Sequence, residues 1–343
     1  MQNKGLAWLL GATIVAVVVA VLVSRGTAPR IDPLAGQPVL PEAAKRLGDI
    51  GRMALIHGDQ KTTLTKSGEA WSVVERGGYA AETIKVRQAL LGLADLKYVE
   101  PKTAQPNAYP RLAVEDAGAK DSKSTLVTLA DANGALLGEV LAGNHRAGQL
   151  GGGEGGVYVR KPGTTQSWLA RGNLDLAGDT AAWLDKKLMD LPAAQVKQAV
   201  LTQPDGSKVT LTRDKPEDKL RLVELPKDKK LKYDSVLDDA AGVLGGLTLD
   251  DVRPAKDFTF PSDGVSKAQF TAFSGLVVSV DLVDKDGLSF ARITATGSGD
   301  GQKPATDLAA QTSPWIYVLS SAKAKTLRDK LDDLTEAPTP KGS

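Results

Sequence analysis

The pattern of apolar and polar positions divides the chain into one unbroken apolar run and a long body of short alternating or helical stretches. Residues 6–23 carry no charge, and eleven of these eighteen are Leu, Ile or Val. As a helix the run rises about 27 Å, close to the ~30 Å hydrocarbon core of a bilayer. The predicted anchor residues, in contact with membrane lipid, are Leu6, Trp8, Leu10, Ile14, Val18, Leu22 and Val23. A secretory signal has a shorter apolar region and a small-x-small cleavage site. Here only Gly26-x-Ala28 follows, directly before Pro29, so the run reads as an uncleaved transmembrane helix. Lys4 precedes it and Arg25 and Arg30 follow, a near balance of flanking charge. The short head and large body favour a single-pass protein of a bacterial inner membrane with its body in the periplasm.

The body begins after a stalk. Residues 27–41 hold four prolines, which forbid a helix and favour extended backbone. From about Asp49 the chain alternates in strands and turns. A helical pattern then puts Val86, Ala89, Leu90 and Leu93 on one face, with Thr83 as the expected N-cap. Two apolar runs around Asn133-Gly134 predict a hairpin. A helix with Asp179 as cap and Trp183, Leu184, Leu188 and Leu191 on one face closes this half.

The same order of elements then returns about 150 positions later. The stretch from 196 to 213 matches 52–66, and LRLVEL matches WSVVER. A helix with Val236, Leu237, Ala240, Val243 and Leu244 as its stripe matches the first one, and Pro254 stands for Pro101. The second hairpin, turning at Asp286-Gly287, aligns with the Asn133-Gly134 hairpin, WIYVLS with VYVRK, and residues 297–301 with the first half's glycine loop. The expected fold class is α+β: a transmembrane helix followed by two tandem repeats of mainly antiparallel sheet with packed helices. The expected limits are 1–25 for head and anchor, 26–48 for the stalk, 49–193 and 194–336 for the repeats, and 337–343 for a tail.

Charge and candidate chemistry narrow the function without naming one. With 43 basic against 41 acidic residues, interspersed throughout, no basic stripe for nucleic acid exists. There is no Cys, and His57 and His145 are the only histidines, which argues against a zinc site; pairing of His145 with Asp131 is the one weak catalytic arrangement. The acidic doublets read as helix-surface and turn charges, because the continuation of a calcium loop is missing. Gly151-x-Gly153-x-x-Gly156 precedes a strand instead of opening a helix, so a dinucleotide loop is excluded. Gly151, Gly153, Glu154, Gly156, Tyr158 and Arg160 remain a candidate partner-contact loop. Trp71, Trp183 and Trp315 are expected in the core, Trp168 and Tyr109 at the surface. No catalytic residue, metal or cofactor is assigned.

Residues 71–75 (WSVVE), 98–101, 109–112, 157–160 and 183–188, in this order behind an anchor and a proline stalk, resemble the bacterial family of domain of unknown function 4340. The likeness spans roughly residues 50–335. It departs at Tyr109-Pro110-Arg111-Leu112, where the family more often has Tyr-Gly-Leu. The resemblance implies an accessory envelope protein beside membrane subunits of an ABC transporter of the gliding-motility type. The expectation is therefore a protein-binding scaffold. The alternatives are a module binding an envelope glycan, lipid or substrate, and an enzyme of unrecognised type.

Overall fold

A computed structural model describes residue 13 and residues 32–118, 121–148 and 155–337. The anchor residues Leu6, Trp8, Leu10, Ile14, Val18, Leu22 and Val23, the loop residues Gly151, Gly153 and Glu154, and the end of the tail lie outside these. Among the described residues no helix is long and apolar enough to cross a membrane.

Alternation of inward apolar and outward polar residues builds two large antiparallel sheets. In β1 (Ile50–His57), Met53 and Leu55 are buried while Arg52 is exposed. The first sheet continues with β2 (Gln60–Ser67), β3 (Ala70–Val73), β4 (Tyr79–Ala80), β5 (Lys97–Pro101), β6 (Thr125–Asp131), β7 (Leu136–Arg146), β8 (Gly156–Arg160) and β9 (Ser167–Arg171). Its order is β4-β3-β2-β1-β6-β7-β8-β9-β5. After the short β10 (Lys187–Met189), the second sheet uses β11 (Val196–Thr202), β12 (Lys208–Thr212) and β13 (Arg221–Leu222). Between them and its last strands lie the short β14 (Lys230–Leu231) and β15 (Leu247–Thr248). The sheet is completed by β16 (Asp251–Pro254), β17 (Ser266–Ala272), β18 (Leu276–Lys285), β19 (Leu288–Gly297) and β20 (Trp315–Leu319), and β21 (Thr335–Glu336) follows outside it. Its order, β13-β12-β11-β17-β18-β19-β20-β16, is that of the first sheet without the outermost strand.

The strand order moves one sequence match. By place in the sheet, β17 answers β6, β18 answers β7, β19 answers β8 and β20 answers β9. The Asp286-Gly287 hairpin therefore occupies the position of β7–β8, one strand further along than the sequence suggests. WIYVL answers SWLAR, and residues 297–301 lead from β19 into a helix instead of answering the glycine loop. One detail recurs on both sides: the Glu75 carboxylate accepts from the Thr63 amide and the Glu224 carboxylate from the Thr210 amide, each at 2.7 Å.

The open β5 edge of the first sheet is covered. Residues 36–39 run along β5, with bonds from Gly36 N to Tyr98 O (2.7 Å) and from Val39 N to Leu96 O (2.8 Å). In the second half β10 pairs with β15, just before β16, in a separate two-stranded sheet. Cover of the β5 edge removes a ready template for aggregation.

From residue 32 on, the described helices are α1 (Pro41–Lys45), α2 (Thr83–Asp95), α3 (Tyr109–Leu112), α4 (Val236–Ala241), α5 (Gln302–Thr312), α6 (Ser321–Thr326) and α7 (Leu331–Leu334). In α2 the expected Val86, Ala89, Leu90 and Leu93 are buried, but Glu82 is the N-cap, its carboxylate accepting from Ile84 N. The helix expected after Asp179 is a correction. Asp179 does cap a turn, yet only the short 3-10 segment Thr180–Trp183 forms, and β10 follows. Pairing of β10 with β15 outweighs the local helical spacing. Trp168 and Tyr109 are also corrected, being 6% exposed each. One continuous apolar core spans both sheets, from Met53 and Trp183 to Phe270 and Tyr317.

Candidate functional site

Two places stand apart from the general packing: the seam where the halves meet and a cleft on the first half. At the seam the Arg76 guanidinium, just after β3, donates from Nε to Asp251 Oδ1 (2.6 Å) and from Nη2 to Asp251 Oδ2 (3.0 Å). The Tyr79 ring meets Trp315 edge-on, centroids 5.0 Å apart, and lies 6.4 Å from Tyr317. Lys186 Nζ donates to Asp250 O (2.6 Å), and Leu191 N to Leu244 O (3.0 Å). Burial pushes the Tyr79 hydroxyl up to about 12, with the Asp185 charge adding to it, and burial raises Tyr317 as well. The Tyr317 hydroxyl has no hydrogen-bond partner among the described residues. Apart from the Tyr317 hydroxyl these groups are apolar or paired, and the seam joins the halves.

The cleft has a volume of about 270 Å³. Helix α2 turns its core stripe onto the first sheet, while Ile84 and Leu91, two turns apart, remain 66% and 46% exposed. Beside Leu91 the cleft is floored by Ile50, Trp71 and Leu90, walled by Leu47, and rimmed by Lys66, Glu69 and Arg87. A second opening of about 400 Å³ shares Gly48, Ile50 and Lys66 with it and also carries Arg46, Asp49, Asp131 and Asn133. Arg46 donates to Asp49 (2.9 Å) and Asp131 (3.3 Å). The backbone amides of Ala135 and Asn133, and then Arg46, hold the Asp131 carboxyl below its ordinary range. Arg87 is exposed and has no ion-pair or hydrogen-bond partner among the described residues.

The residues singled out from sequence are dispersed. Gly156 opens β8 so close to β9 that a side chain there would strike the Ala170 carbonyl. Tyr158 is half-buried in β8. Arg160 is 3% exposed and spent internally. Its guanidinium donates to Val114 O (2.7 Å), Thr164 O (2.8 Å) and Asp116 Oδ1 (2.5 Å) and lies 4.5 Å from the Tyr109 ring centroid. As a partner contact Arg160 is therefore a correction: it ties strand, turn and loop together.

His57 Nδ1 sits 3.1 Å from Thr125 Oγ1. His145 lies nine residues along β7 from the end next to Asp131, roughly 30 Å away, so the two do not meet. Among the described residues no group of three His, Cys, Asp or Glu is placed to hold a metal ion. Two of the acidic doublets contribute single partners to separate ion pairs, Asp251 with Arg76 and Asp332 with Lys229. Sequence reasoning missed the cleft, whose only local signal is the recurrence of Ile84 and Leu91 off the core stripe.

One carboxylate is held out of its ordinary range at the far end of the second half. Burial raises Asp329 to about 6, with the Asp333 charge adding and Lys325 and Lys232 opposing. The unfolded chain releases this proton near the ordinary value while the fold retains it. The penalty therefore grows as pH rises between about 4 and 6, is complete above that window and vanishes below it. A shift of about two units is worth ~3 kcal/mol for a wholly buried group, and solvent screening at this half-buried one reduces it to about 1 kcal/mol. Asp329→Asn is expected to raise the unfolding free energy from urea titration at pH 7 by that amount and to leave it unchanged at pH 4.

The family described as Domain of unknown function (DUF4340) matches residues 71–267, more than half of the chain. Neither the curated proteins nor the solved structures contain a match.

Proposed function

The chain belongs to the DUF4340 family, and from that premise we propose that it is a non-catalytic accessory protein anchored in the bacterial inner membrane. Its periplasmic body, two copies of one duplicated unit, binds subunits of an ABC transport complex. The apolar run at residues 6–23 supports the anchored placement. The common strand order and the Glu75 and Glu224 contacts support duplication.

One observation carries the binding role. Strand pairing puts Leu222 where Val73 stands, so Val223 answers Val74 and Leu225 answers Arg76. The first half uses Arg76 to hold the second half. The second half has Leu225 at the Arg76 place, and there Val223 is 59% and Leu225 40% exposed. An exposed apolar pair at a position built for joining fits a protein partner. The tagged full chain, solubilised in detergent, is expected to co-purify with transporter subunits. The Val223→Asp, Leu225→Asp double variant is expected to lose them while folding normally. Recovery of the wild-type chain without any transporter subunit would overturn the reading.

A further inference from the structure

The cleft beside α2 is open in the first half and filled in the second. Pairing registers place Arg213 where the first half has Lys66, Phe273 where it has Ala132, and Leu220 where it has Trp71. Arg213 is 5% exposed. Its guanidinium donates to the carbonyls of Val196 (2.9 Å), Ala193 and Pro216 (3.2 Å) and lies 5.7 Å from the Phe273 ring centroid. In the first half Lys66 turns instead toward Glu69 at 3.7 Å, and Ala132 is too short to reach inward. In the second half the Arg213 side chain thus occupies the space that Lys66 and Ala132 leave open in the first.

We propose that this cleft binds a single-chain anionic amphiphile, with its tail against Trp71, Leu90 and Leu91 and its head at Lys66 and Arg87. At the ~30 Å³ that a water, or roughly a methylene, occupies in a liquid, 270 Å³ holds a chain of about nine carbons. The floor is apolar, and the adjoining opening past Lys66 carries the polar Arg46, Asp49, Asp131 and Asn133, the two-ended character an amphiphile requires. The rim of the apolar chamber carries two cations against one acid, Glu69, whose side chain is 86% exposed and only loosely engaged. In the polar chamber Asp49 and Asp131 are already bound by Arg46. The unpartnered charge facing a ligand is therefore Arg87.

The test uses the purified full chain in a neutral detergent with a photoreactive diazirine undecanoate, followed by peptide mapping. Labelling is expected on the peptides holding Trp71 and Leu91. Excess undecanoate or dodecyl phosphate should compete, the better competitor showing whether the head is carboxylate or phosphate. Undecylamine should compete about tenfold less well. Arg87→Glu and the exposed Leu91→Asp should each cut cleft labelling about tenfold, with labelling of residues 6–23 unchanged as the internal reference. Labelling indifferent to both variants, equal competition by the amine, or label confined to residues 6–23 would overturn the assignment. Because no transporter subunit is present, the result is independent of the partner-binding role.

Discussion

Replacing Trp183 by Ala is expected to lower the stability of the body by about 3–5 kcal/mol, the range for truncating a buried aromatic side chain. Trp183 is fully buried. It lies where the chain leaves the first sheet for the second, and several local bonds depend on it. Its Nε1 donates to Ala177 O at 3.0 Å, its carbonyl accepts from Glu82 N at 2.8 Å, and Lys85 Nζ stands 5.3 Å from its ring centroid while bonding Ala182 O at 2.9 Å. The ring thus fastens the start of α2 to the segment leading into β10. Trp183→Phe keeps most of the apolar area but removes the donor to Ala177, so its expected cost is about 1–2 kcal/mol. Urea unfolding of the two variants reads the difference directly. Equal losses would mean that the hydrogen bond, and not the filled volume, dominates at this site. A domain of ordinary stability, about 5–15 kcal/mol, survives the Phe variant and is brought near unfolding by the Ala variant.

Local sequence signals proved legible where local physics decides the structure. Gly134, at φ +86°, and the pair Asp286 and Gly287, at φ +53° and +77°, take the left-handed backbone that their tight turns demand. The α2 stripe and the core positions of Trp71 and Trp183 follow from periodicity alone. Failure begins where partners come from far along the chain. Leu184, Leu188 and Leu191 have helical spacing, but β10 is drawn into a strand by residues near 247. The match between halves slipped by one strand because any short turn between apolar runs resembles any other. The loop of the first half that truly answers Asp286-Gly287 is long and glycine-rich, so the likeness is lost there. The cleft was illegible for the same reason: Leu47, Lys66, Trp71, Arg87 and Leu91 come from four separate elements. Nothing local marks Arg87 as unpartnered. Only the comparison with Arg213, which the fold places at the Lys66 position, shows that a space has been left open.

The seam yields the second large expectation. Gly77 has φ +67°, and a side chain there would fall on Cγ of Pro254 in the other half. Gly77→Ala therefore meets two separate costs. The left-handed backbone costs a non-glycine residue about 1 kcal/mol, and forcing the methyl against a packed ring costs about 1–3 kcal/mol more. A combined loss of about 3 kcal/mol is expected, comparable to a core truncation although the residue itself is exposed. Pro254→Ala removes the obstructing ring atoms and leaves Cβ in place. The double variant should recover the steric part and retain the backbone part, about 1 kcal/mol. If the double variant is no more stable than Gly77→Ala, the contact does not carry the cost and the halves have shifted to accommodate it. The same clash presses on the bidentate Arg76–Asp251 bond one residue away, so a cycle with Asp251→Asn should show coupling to Gly77→Ala of about 0.5–3 kcal/mol, the range for groups in contact.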